Sequence, residues 1–195
     1  MEQVRAFIAI ELPQAAIEGL SALREMVRPR EHPFVKWVDP GGIHLTLTFL
    51  GNVPQERVPR IAAAMEEGAS GASPLRLHLG GMGAFPSLRR PRVVWVAVEG
   101  DVDRLAALKK GIDQALVPLG FRPEARPFTP HLTLGRVREG ATPAEQQRLG
   151  QVVSGTEYRV DVSMEVGEVS LMRSRLTPAG AIYSRLAAVA LGAGR

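Results

Sequence analysis

A chain of 195 residues, 45% apolar and 23% charged, is long enough to bury its own core and lies outside the disordered and fibrous classes. It has no cysteine, which excludes disulfides, thiolate nucleophiles and cysteine-ligated zinc, and no apolar run approaches the length of a membrane span. The net charge is +4, and all but three of the 24 lysines and arginines are arginine, whose planar fork suits phosphate; biased genomic base composition is the simpler source of that ratio.

Residues 4–10 are β-branched and apolar enough for a buried strand, and their five-residue apolar run before Glu11 is too short for a signal-peptide core, so a cytoplasmic protein is expected. Pro13 opens a helix with Ala16, Leu20, Leu23 and Val27 on one face. Residues 35–38 and 44–50 read as two short strands divided by the turn at 39–42, with Gly51-Asn52 ending the pair. From Pro54 to about Gly68, Val58, Ile61, Ala62 and Met65 form the apolar face of a second helix.

Strands follow at 75–79 and 93–98, and Gly80-Gly81-Met82-Gly83 reads as a turn or bulge because no phosphate-loop Lys-Ser/Thr follows it. Asp101 is placed to cap a third helix carrying Leu105, Leu108, Ile112 and Leu116, and 128–137 is a strand. Thr142-Pro143-Ala144-Glu145 combines a capping box with a first-turn proline and starts a fourth helix. Strands at 158–163, 166–172 and 181–189 complete the chain. The order of elements echoes itself, which predicts a single unit over 1–195 with a duplicated α+β fold and antiparallel sheets.

The tetrapeptide His-Leu-Thr-Leu occurs twice, at corresponding places in that echo, beginning at His44 and at His131. In a strand His44 and Thr46 share one face and Leu45 and Leu47 the other; His131, Thr133, Leu132 and Leu134 repeat the arrangement. If the halves pack about a pseudo-twofold axis, two imidazoles and two hydroxyls converge. One neutral imidazole can take a proton from water while a protonated one gives a proton to a departing ribose oxygen, and threonine hydroxyls can donate to phosphoryl oxygens. That set suits hydrolysis of a strained cyclic phosphodiester and calls for no metal or cofactor. A single such histidine would be read as a packing residue bonded to a backbone carbonyl; the matched pair is not.

These residues resemble the 2H phosphoesterases, specifically the RNA 2′,3′-cyclic phosphodiesterases, also called 2′-5′ RNA ligases. The resemblance runs through Phe7, Lys36-Trp37-Val38, the 44–51 and 126–136 segments, Gly83-Ala84-Phe85-Pro86, Arg92-Val93-Val94-Trp95, and Ser174, Leu176, Gly180 and Tyr183. It implies a bilobed fold with helices flanking two sheets and a central cleft, and an activity that opens a terminal 2′,3′-cyclic phosphate of RNA to a 2′-phosphate. By the same resemblance His44 is the acid, His131 the base, Thr46 and Thr133 hold the phosphate, Phe49 stacks on the terminal base and Arg136 contacts a phosphate. Phe49 and Arg136 are each out of phase with their histidine, so both need a bend in the strand, for which Gly135 offers a place; without one Phe49 belongs to the core.

His78, between leucines and without a threonine partner, reads as structural or superficial, and His32 as an exposed loop residue; no pair of histidines has metal-site spacing. Arg89-Arg90-Pro91-Arg92 fits either a solvated hairpin tip or a contact to upstream RNA phosphates. Asp101, Asp103, Glu66 and Glu67 fall at caps and on exposed helix faces. The alternatives to hydrolysis are 2′-5′ joining of cyclic-phosphate and 5′-hydroxyl RNA ends, and RNA-end binding without catalysis. A monomer without membrane attachment or obligate protein partner is expected.

Overall fold

The computed structural model describes residues 2–28, 33–156, 162–178 and 180–192. In chain order the elements are β1 (Gln3–Glu11), α1 (Gln14–Val27), β2 (Val35–Trp37), β3 (His44–Pro54), α2 (Val58–Ala69), β4 (Leu75–Phe85), β5 (Val93–Gly100), α3 (Val102–Leu116), β6 (His131–Val137), α4 (Pro143–Gly155), β7 (Ser163–Val166), β8 (Glu168–Thr177) and β9 (Gly180–Ala190). They form the expected α+β fold. A four-stranded sheet runs β3-β1-β8-β9 and a five-stranded sheet runs β2-β6-β5-β4-β7, with every pairing antiparallel.

The helices form for the reasons their apolar spacing gives. In α1, Ala16, Leu20, Leu23 and Val27 are fully buried in the main core, and in α3 so are Leu105, Ile112 and Leu116. α4 opens with the full capping box: the Thr142 hydroxyl accepts from Glu145 N–H, and the Glu145 carboxylate accepts from Thr142 N–H at 2.7 Å. No helix among the described residues is long and apolar enough to cross a membrane.

Several boundaries differ from the expectation, each for a local reason. β2 and β3 are not a pair: β2 joins β6 and β3 joins β1, so the short 3-10 turn Pro40–Gly42 carries the chain from one sheet to the other. β3 does not end at Gly51-Asn52. It continues to Pro54, because Gly51 takes a left-handed φ of +72° opposite Ala6 and Val53 still finds Val4. The glycines after Leu79 are a bulge, as expected, and β4 runs on through it to Phe85.

α2 starts at Val58 after a 3-10 turn, and β6 starts at His131, three residues later than the composition suggested. Asp101 occupies the position before α3, but its carboxylate does not cap the helix; it accepts from Arg76 N–H and pairs with Arg104. The expected 166–172 strand divides at Gly167 into the end of β7 and β8. The strand expected at 158–163 lies, apart from Val162 and Ser163, outside the described residues, as does His32.

Candidate active site

Both tetrapeptides are strands, and each lies beside the strand that opens its own half: β3 pairs with β1 and β6 with β5. β3 and β6 also contact one another where the two sheets meet. Leu45 and Leu132 are fully buried, Leu47 and Leu134 nearly or fully so, anchoring each strand on the helix-covered core; His44, Thr46, His131 and Thr133 on the opposite face are half-buried. Burying one such leucine is worth about 1.5–3 kcal/mol, so the anchors hold the histidines firmly in register.

The out-of-phase residues are brought into phase by a matched pair of bulges. On β1, Ala9 faces Thr46 and Ile8 faces Thr48, leaving Leu47 unpaired; on β5, Trp95 faces Thr133 and Val94 faces Gly135, leaving Leu134 unpaired. In each motif the fourth residue is the extra one, so the alternation slips by one. Thr48 and Gly135 therefore turn toward the core, and Phe49 and Arg136 turn to the face of His44 and His131. Phe49 stands opposite Phe7, its ring centroid 6.2 Å away, and is 70% exposed, so it is not a core residue. The bend at the second motif is centred on Leu134. Gly135 serves it differently: a Cβ there would lie 2.9 Å from both Trp37 and Val35.

The two imidazoles are held alike. His44 Nδ1 lies 3.0 Å from Gly42 O and His131 Nδ1 2.7 Å from Thr129 O, each the carbonyl two residues earlier. A carbonyl can only accept, so Nδ1 carries the proton in both rings and Nε2 is the nitrogen left for chemistry. Each ring rests on two aromatics: His44 on Phe7 (4.6 Å) and Tyr183 (4.9 Å), His131 on Phe85 (5.0 Å) and Trp95 (6.4 Å). The Trp95 indole reaches its place by lying over Gly83, where a Cβ would come within 2.3 Å of the ring. Among the described residues neither Thr46 nor Thr133 spends its hydroxyl on another protein group.

The surroundings differ in charge. Glu11 is the cross-strand partner of His44, whereas Ala97 is the partner of His131. Glu11 accepts from Ser170 Oγ (2.8 Å) and from Arg185 Nε (2.7 Å), and Arg185 reaches on to Glu168 (2.6 Å). Burial holds the His44 imidazole below the ordinary histidine range, partly offset by the Gly42 carbonyl and the Glu11 charge. The Arg185 guanidinium is pushed up chiefly by its hydrogen bond to Glu11.

No sequence motif marks Glu11, Ser170 and Arg185 as a group. Alternation along β1 puts Phe7, Ala9 and Glu11 on one face, but nothing in one dimension brings β8 and β9 beside β1. His78 is exposed and pairs with Glu99 at 3.3 Å, a surface role. No three His, Cys, Asp or Glu residues among the described ones converge as a metal site would require.

Twin histidine strands, each with a threonine two residues on, on a pair of antiparallel sheets define a protein of the two-histidine phosphoesterase class. A statistical description of the 2′-5′ RNA ligase superfamily matches residues 12–178, and the chain belongs to that family, as the sequence resemblance implied. It is 38% identical over 183 residues to the RNA 2′,3′-cyclic phosphodiesterase of Methanothermobacter thermautotrophicus, covering 93% of this chain and 96% of that one. It is 34% identical over 190 residues to the protein of the same description from Archaeoglobus fulgidus, covering 94% and 98%. The crystal structure of E. coli LigT complexed with 3′-AMP superposes with a TM-score of 0.77 at 27% identity, covering 98% of this chain and 99% of that one.

Proposed function

We propose that this chain hydrolyses the terminal 2′,3′-cyclic phosphate of RNA to a 2′-phosphomonoester, with His131 as general base and His44 as general acid. The observation that carries the reading is the pair of Nδ1-to-carbonyl hydrogen bonds, which leave the Nε2 of each histidine available for proton transfer. His131 Nε2 takes a proton from water as the water oxygen bonds to phosphorus. The P–O3′ bond breaks, and His44 Nε2–H returns a proton to O3′. The assignment of His44 as acid and His131 as base is the one the family resemblance implies; the Glu11 charge opposite His44 offsets part of the burial that disfavours its imidazolium, while His131 has Ala97 opposite.

Thr46 and Thr133 donate to the non-bridging oxygens, Phe49 stacks on the terminal base and Arg136 pairs with a phosphate. None of these steps draws on a metal or cofactor. The unit is a single domain of two pseudo-symmetric lobes with the site between them; the matched bulges at Leu47 and Leu134 and the contact between β3 and β6 support that division. The reading extends to a monomer that acts in the cytoplasm.

The family description favours a second reading of the same site, in which an RNA 5′-hydroxyl replaces water and a 2′-5′ linkage forms. One experiment addresses both: a short RNA ending in a 2′,3′-cyclic phosphate is incubated with the protein and EDTA, with and without a 5′-hydroxyl acceptor RNA. A 2′-phosphate product supports hydrolysis and a longer RNA supports joining. Binding without turnover would leave only an RNA-end binding module, and a 3′-phosphate product would contradict the proposed bond cleavage.

A further inference from the structure

The face that carries His131 continues along β6 into a row of cations. Arg136 pairs with Lys36 on β2 and with Val93 on β5, and the bulge at Leu134 sets Arg136 on the histidine side. Lys36 is its direct cross-strand partner on that side, because Val35 and Trp37 pack into the core around Gly135. Arg138 N–H donates to Phe34 O at 2.7 Å, which extends the β2–β6 ladder one step and brings the Arg138 side chain to the same face. Arg136 on β6 and Arg138 just past its end are two residues apart, about 7 Å if the chain stays extended.

All three side chains are exposed, and among the described residues none forms an ion pair. Like charges directly opposite on a sheet are unfavourable in themselves. A cation pair kept in that register, beside the threonine proposed to bind phosphate and with no carboxylate among the described residues paired to it, is arranged for an anion that arrives from outside.

We propose that Lys36, Arg136 and Arg138 form a track for the RNA backbone phosphates on the 5′ side of the cyclic phosphate. This rests on the RNA-end reading of the site and adds to it that the preferred substrate is an oligonucleotide, gripped over several phosphates, and that Lys36 and Arg138 are binding residues. Contacts to three phosphates of a single strand give a slope of log affinity against log salt of about −2, from roughly −0.7 each.

The test is fluorescence anisotropy with a 5′-labelled RNA hexamer ending in a 2′-phosphate, a form that is not turned over, and with a dinucleotide of the same end. Wild type is compared with Lys36→Glu/Arg138→Glu and with Arg60→Glu/Arg148→Glu. The second pair removes equal charge at exposed sites on α2 and α4. The track requires the hexamer to bind tighter than the dinucleotide with a slope steeper by about 1 to 2, and the first double variant to lose at least tenfold in hexamer affinity while the second loses less than twofold. Equal losses in both double variants would mean diffuse attraction to a basic protein, and equal slopes for the two RNAs would mean a grip confined to the terminal nucleotide; either overturns the track. Binding is read without turnover, so an inactive protein that still grips the hexamer would sink the hydrolysis reading alone.

Discussion

Replacing Gly83 by alanine tests how the second histidine is held. The new methyl would lie 2.3 Å from Trp95 Cη2 and Cζ2 and 2.9 Å from Cε2. Carbon atoms rest at about 3.5 Å or more, so the indole has to retreat by roughly 1.2 Å. It cannot do so freely, because its other neighbours are Phe85, at 5.0 Å between centroids, and the His131 ring, at 6.4 Å. Overpacking of this kind costs about 1–3 kcal/mol. For a protein of this size that is a fall in Tm of roughly 2–12 °C. Displacing a catalytic group by about 1 Å can cost on the order of 10²-fold in rate. Thermal unfolding followed by tryptophan fluorescence, together with kcat/KM on a cyclic-phosphate RNA, reads both effects. A variant with unchanged Tm and unchanged kcat/KM would show that Trp95 does not buttress His131 and that Gly83 is not needed for close approach.

Asp113, only 7% exposed, pairs with Lys109 and accepts from Thr48 Oγ1 at 2.6 Å; Asp113→Ala leaves a buried ammonium uncompensated and is expected to cost about 3–5 kcal/mol in chemical denaturation, while Thr48→Val costs about 1 kcal/mol. Thr142→Ala removes the hydroxyl of the α4 capping box, and a loss of about 1 kcal/mol is expected in the same assay. Glu11 of β1 lies opposite His44 and Tyr183 of β9 packs on its ring, while Arg185 of β9 pairs with Glu11 and with Glu168 of β8; Glu11→Gln removes a charge that raises the His44 pKa, so the His44 Cε1–H NMR titration should move to lower pH. Because the folded pKa of His44 lies below its unfolded value, its contribution to stability is complete above about pH 6.5 and is lost as pH falls through the folded value; denaturation midpoints should therefore drop more between pH 7 and pH 5 in wild type than in His44→Gln.

Helices and strands with a clean period were legible in the sequence: α1, α3 and the α4 capping box lie where apolar spacing and turn chemistry put them. The shared face of histidine and threonine in each motif was legible too, since it needs only the two-residue period of a strand. Pairing was not. The separation of β2 from β3 into different sheets depends on which strands lie beside them, which adjacent sequence does not encode. Phe49 and Arg136 show the limit most clearly. A regular strand would aim both away from the histidines, and only the register of β1 and β5 reveals that Leu47 and Leu134 are the unpaired residues that reverse the phase. Glu11, brought opposite His44 and clamped by Ser170 and Arg185 from the far end of the chain, is a product of sheet topology alone.

The most direct test of two-histidine catalysis is the single-turnover rate of 2′,3′-cyclic phosphate opening by wild type, His44→Ala and His131→Ala, each first shown to be folded by circular dichroism. A general acid and a general base each contribute about 10² to 10⁴ in rate, so each variant should be slower by at least 10²-fold. A wild-type rate in either variant would mean that the corresponding imidazole moves no proton in the reaction.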